Sequence, residues 1–174
     1  MIYSSPAADA APDQGDIIEG CPILQVSTVS PGTILSGDVS SLEVKSELCT
    51  VVVLTQTCDL ANAKTTAAVV ARLHAAQQLV DRGLLRAVDV RGPIRSCRVY
   101  GWYFLPASPS HGLSESIVDL RQLHTVRLDL LECLVKHGKR LCRVAPLYRE
   151  HLAQHLAITY SRIGLPEPYA SQPE

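Results

Sequence analysis

Aromatic side chains are scarce in this 174-residue chain: they make up 5% of it, with one phenylalanine, Phe104, and one tryptophan, Trp102. Leu, Val, Ile and Ala must therefore fill most of the core, and a hydrophobic fraction of 47% supplies them. Six cysteines stand at 21, 49, 58, 97, 133 and 142, and no two form a CxxC pair, so zinc-ribbon and thioredoxin-type sites lose support. No stretch approaches the roughly 18 apolar residues of a membrane span, and residues 1–14 lack the basic and apolar regions of a secretory signal. The expectation is a cytoplasmic protein with reduced thiols and no membrane association. Arginine is absent before Arg72. The net charge of −1 carries no nucleic-acid footprint by itself, but it hides an acidic first part, residues 1–71, and a basic remainder, residues 72–174.

What the chain does contain is organised around Val51-Val52-Val53-Leu54-Thr55-Gln56-Thr57-Cys58-Asp59-Leu60. Three consecutive β-branched residues favour a strand, and an unbroken apolar run favours one covered on both faces. The run stops on Thr55, Gln56, Thr57, Cys58 and Asp59, where the strand leaves the sheet. The length fits one domain over residues 15–166, between flexible tails at 1–14 and 167–174.

Other elements follow from pattern. Asp16 to Val26 reads as a strand bent at Gly20 to Pro22, since glycine permits sharp geometry and proline is excluded from a paired interior position. Pro31-Gly32 marks a turn before a short strand at Thr33 to Leu35, and Leu42 to Leu48 alternates apolar and charged residues like a half-exposed strand. Strands are expected at 67–73, 99–105, 116–120 and 139–144, with a further segment at 123–126. Helices are expected at 75–82, ended by Gly83, and at 128–135, ended by Gly138. The last helix starts near Pro146 and runs to Arg162, with Tyr148, Leu152, Leu156, Tyr160 and Ile163 on one arc. The class is α+β: a small, strongly bent antiparallel sheet or SH3-like barrel with the C-terminal helix packed on it.

Several segments resemble the MazF/PemK family of small bacterial barrels, many of which are RNA-cleaving toxins. Gly15-Asp16-Ile17-Ile18 is similar to that family's opening strand, and Val51 to Thr55 to its central valine-rich strand. Ser116 to Leu120 followed by Leu123-His124-Thr125-Val126-Arg127-Leu128 resembles its late strand and following element. The family's early Arg-Pro pair, which supports cleavage, has no counterpart here. A second likeness is to uncharacterised bacterial proteins that pair a turn like Thr55 to Leu60 with a helix like Arg149 to Gln154 and an ending like Arg162 to Pro166; it implies no activity. The MazF/PemK resemblance implies a toxin-antitoxin or phage-defence protein that binds or cleaves RNA, here at a groove beside the Thr55 to Asp59 turn.

On that reading Cys58, Asp59 and His124 are the candidate catalytic groups, with Thr55, Gln56, Thr57 and Arg98 as binding residues. A possible helical turn after Cys58 would favour its thiolate, whereas the neighbouring Asp59 charge opposes it. A Cys58-centred thiol hydrolase therefore requires a histidine brought in by folding. The structural alternative is that Thr57 and Asp59 bind backbone N–H groups above a buried Cys58. His151 and His155 have the spacing of a metal pair but lack the glutamate of HExxH, so packing or surface roles compete with metal binding, and no cofactor is expected. Arg82, Arg86, Arg91, Arg95 and Arg98 with Tyr100, Trp102 and Tyr103 form either an RNA-stacking surface or a solvated edge above core aromatics. The competing class is a silent binding module, a homodimer or an adaptor.

Overall fold

The structure, a computed structural model, describes residues 1–26, 32, 35, 43–62 and 64–161. The strands among them are β1 (Tyr3–Ser4), β2 (Asp16–Val26), β3 (Val44–Val53), β4 (Ala67–Ala75), β5 (Trp102–Leu105), β6 (Ser116–Arg127) and β7 (Arg140–Val144). They form one antiparallel sheet in the order β1-β7-β2-β3-β4-β6-β5, open between its two edges. The helices are α1 (Thr57–Ala61), α2 (Ala76–Asp81), α3 (Ala87–Asp89, continued by a wide turn over Val90–Ile94), α4 (Leu128–Lys136) and α5 (Pro146–Tyr160). This is the expected α+β class, with an open sheet and not a closed barrel. Of the expected turn at Pro31-Gly32 and strand at Thr33 to Leu35, Gly32 and Leu35 are helical, and the rest, like the tail at 167–174, lies outside the described residues.

Val51, Val52 and Val53 are each 0% exposed, as a strand covered on both faces requires. Val51 and Val53 pack with Val70, Val126 and the α4 residues Leu131 and Val135. Val52 and Leu54 pack on the opposite face with Val118, Leu120, Val144 and Leu152 of α5. Fully burying each such side chain contributes roughly 1.5–3 kcal/mol, which makes β3 the strand that ties the two layers together. A third cluster joins Trp102 and Ile117 to Ala76, Leu79, Val90 and Ile94.

The sheet is strongly bent. Pro22, Ile23 and Leu24 of β2 line the same cavity, about 240 Å3, as His124 to Arg127 of β6, although β3 and β4 stand between these strands in the sheet. The face covered by α4 is therefore the inside of a curl. The bend in β2 is where the sequence puts it: the register against β3 shifts between Ile18 and Cys21, and Gly20 has φ +68°. A second irregularity was not expected. Residues 116–127 are one strand, in which Ala71 pairs with Leu123 while Arg72 pairs with Asp119, so residues 120–122 bulge out.

Residues 1–14 are not a loose tail. Tyr3 is buried, its hydroxyl donates to the Pro106 carbonyl at 2.6 Å, and β1 pairs with the end of β7. Arg140 donates to the carbonyls of Ala7, Ala10 and Ala11, and both Arg140 and Arg143 bind the fully buried Asp16 carboxylate. Arg143 and Arg149 reach Asp13 at 3.4 and 3.2 Å. The partners holding this segment lie more than a hundred residues away, so no local periodicity announces them.

The buried arc of α5 also differs from expectation. Leu152 and His155 are its buried residues, whereas Tyr148 and Tyr160 are 40% and 55% exposed. Tyr160 lays its hydroxyl back on the sheet, donating to the Leu120 carbonyl at 2.8 Å. Ile163 lies outside the described residues.

Candidate functional site

The turn after β3 does not assemble the expected constellation. Thr55 Oγ1 accepts the Val69 N–H at 2.7 Å and so closes the turn onto β4. Gln56 precedes α1, and its carbonyl accepts the Asp59 and Leu60 N–H groups. Thr57 Oγ1 is buried and has no hydrogen-bond partner. Cys58 is exposed, so the reading that buries it beneath Thr57 and Asp59 fails; its sulfur lies 3.6 Å from Gln56 Oε1 and 3.8 Å from Asp59 Oδ1. No imidazole is bonded to it among the described residues, and Asp59 pairs with Lys64 at 3.4 Å. His124 stands on β6, two strands from β3 in the sheet. Arg98 is exposed on the segment before β5, where its N–H closes a turn on the Pro93 carbonyl at 2.8 Å.

Trp102 and Tyr103 are buried, which removes them as stacking platforms, and Arg86 is occupied by Asp89 at 2.7 Å. His151 and His155 both pack on the Tyr103 ring. His151 Nδ1 is 3.0 Å from the Tyr103 hydroxyl, while His155 is buried against the rings of Tyr100 and Tyr103. Among the described residues no group of three or more His, Cys, Asp or Glu could hold a metal ion.

What the fold does assemble is a polar strip on the inside of the curl. Residues paired across antiparallel strands share a face. Val51 pairs with Arg72 and Val70 pairs with His124, so both polar groups face the same way as the valines packed under α4. Arg72 Nη1 donates to Glu47 Oε2 at 2.9 Å, while its Nε and Nη2 are buried without a partner. His124 Nε2 is buried without a partner as well. An unmatched buried donor costs roughly 1–3 kcal/mol, so this is a costly arrangement for a purely structural role. Burial lowers the pKa of His124, the Arg72 charge lowers it further and Asp119 opposes both, which keeps the imidazole neutral at pH 7. His74, two residues along from Arg72, is lowered first by burial too.

The strip continues through Asp119, register partner of Arg72. Arg121, thrown out by the bulge, turns back on Asp119 with two side-chain hydrogen bonds of 2.9 Å each. Its guanidinium carbon lies 3.7 Å from the centroid of the Trp102 ring. Gly101 makes this possible: a Cβ there would stand 2.6 Å from Arg121 Cγ. Arg72, Glu47 and Arg121 were not among the expected site residues. A signal existed, since Arg72 and His74 alternate with Val70 on one face of an otherwise apolar strand.

No protein-family model matches the chain, and no curated protein matches it in sequence. No helix among the described residues is long and apolar enough to cross a membrane.

Proposed function

We propose that the inside of the curl is an RNA-binding site in which Arg72 takes a backbone phosphate. The observation that carries this reading is the pair of buried, unpartnered N–H donors on a guanidinium whose third nitrogen is held by Glu47. Guanidinium donors match phosphate geometry, and because both nitrogens lie out of solvent the group must swing outward from β4 to meet one. Glu47 is 65% exposed, so it acts as a placeholder that an incoming phosphate displaces. For cleavage, the neutral His124 imidazole accepts the proton of a ribose 2′-hydroxyl as its oxygen attacks the adjacent phosphorus, Arg72 stabilises the charge there, and the P–O5′ bond breaks to leave a 2′,3′-cyclic phosphate, with solvent protonating the departing 5′ oxygen. The bacterial, cytoplasmic toxin or phage-defence role implied by the MazF/PemK resemblance belongs to this proposal. The Thr55 to Asp59 turn is left out of the chemistry.

The test is binding and cleavage of a single-stranded RNA pool at two salt concentrations. Arg72→Met is expected to weaken binding at least tenfold and to flatten its salt dependence, whereas Glu47→Gln tightens it and Cys58→Ala and Asp59→Ala leave it unchanged. Binding indifferent to Arg72, or lost with Cys58, would sink the reading.

The silent binding module keeps one specific observation. Leu24 and Val26 on β2 and Val44 and Leu48 on β3 are all more than half exposed, at 67%, 59%, 58% and 72%. Their register places them on one face of this two-stranded arm, the arrangement of a protein contact. Light scattering that shows a dimer dissociated by Leu24→Lys would favour that reading.

A further inference from the structure

On the other face of the sheet, where β5 ends beneath α5, lies a cavity of about 340 Å3 that the RNA reading does not use. Ile2, Leu105 and Pro106 give it apolar walls, and Arg95, Cys97, Tyr103 and His151 supply its chemistry. The volume lies at the small end of the range for ligand sites, and the mixture of apolar wall with a few converging polar groups is typical of them. No Asp or Glu lines it, so its one permanent charge is the Arg95 cation at the rim.

Arg95 is lightly held. It lies 3.9 Å from Glu115 and stacks over the Phe104 ring at 5.3 Å, with its side chain 59% exposed. Elsewhere on the lining, the Tyr103 hydroxyl meets the Nδ1 of the exposed His151 at 3.0 Å and the Tyr148 carbonyl at 3.4 Å. The turn presenting Arg95 and Cys97 is under strain. Cys97 has φ +55°, the non-glycine residue with positive φ among those described, and its N–H and that of Arg98 close the turn on Ile94 and Pro93. Side chains forced into this backbone region cluster at ligand clamps and active sites.

We infer that this cavity binds a small amphipathic acid: an apolar body between Ile2, Leu105 and Pro106, and one carboxylate or sulfonate group on Arg95. The site stands independently of Arg72 and of RNA.

The probe for the test is 8-anilinonaphthalene-1-sulfonate, titrated by fluorescence on the full chain with decanoate as competitor. Saturable binding of one probe per chain is expected, displaced by decanoate, weakened at least tenfold by Arg95→Ala, abolished by the cavity-filling Ile2→Trp and unchanged by Arg91→Ala. Circular dichroism and urea midpoints establish that each variant is folded. Absence of saturable binding, or binding unaffected by Ile2→Trp, overturns the site. Binding that responds to Ile2→Trp but not to Arg95→Ala overturns the assignment to an acid.

Discussion

Arg140 and Arg72 both sit largely out of solvent, with side chains 5% and 13% exposed, yet their surroundings treat them differently. Arg140 shares the Asp16 carboxylate with Arg143 and spends its remaining donors on the carbonyls of residues 7, 10 and 11. Arg72 has one carboxylate, from an exposed Glu47, and keeps two buried nitrogens without a partner. A satisfied network fixes a chain segment, whereas an open one reserves donors for something that arrives. The first cluster is thus part of the architecture, and the second is the one the proposed function draws on.

The largest expected effect breaks the satisfied cluster. Asp16→Ala strands Arg140 and Arg143 without their shared carboxylate and should cost about 3–5 kcal/mol in urea unfolding, with early proteolysis within residues 1–14. A loss under 1 kcal/mol would show the network to be incidental. Next comes the bulge that carries Arg121. Gly101→Ala, with a Cβ pressed on Arg121 and φ at +83°, should lose about 1–3 kcal/mol and release the guanidinium from Trp102, read as a change in tryptophan fluorescence.

A pH scan sharpens the comparison further. His74, His124 and His155 all have lowered values in the fold, each chiefly through burial. The unfolded chain binds protons more readily at these positions, so stability is complete above the ordinary histidine value near 6.5 and is lost as pH falls through it toward the lowered native values. The urea midpoint should fall between pH 7.5 and 5.5, and His155→Phe should reduce that slope; a midpoint that rises toward acid would contradict the burial argument. The smallest change in stability belongs to Arg72→Met. Removing unmatched donors should leave stability unchanged or raise it by about 1 kcal/mol, while the proposed RNA binding is lost. A drop as large as that of Asp16→Ala would place Arg72 among the architectural arginines instead.

Elements whose signal is local were legible. The valine run, the bend at Gly20, and the helix ends at Gly83 and Gly138 could be read because β-branching, glycine geometry and short-range alternation decide them. The N-terminal segment was not, because Arg140 and Arg143 hold it from the far end of the chain. Trp102 and Tyr103 read equally well as platform or core until folding put them under Arg121 and against α5. The candidate site was hard to read for a related reason. Cys58 and Asp59 advertise reactivity by type, but reactivity depends on what folding brings beside them, and it brought Gln56 and Lys64. Arg72 is ordinary by type and acquires its character from two neighbours in the sheet.

The pairing of β1 with β7 also governs the order of assembly. Tyr3 leaves the ribosome long before its register partner Val144. The sheet edge therefore stays unfinished until residue 144 has emerged, and such a distant contact predicts slow, late closure behind the local hairpins. A nascent chain halted before residue 140 should leave Tyr3 accessible to protease, and addition of the last strand should protect it.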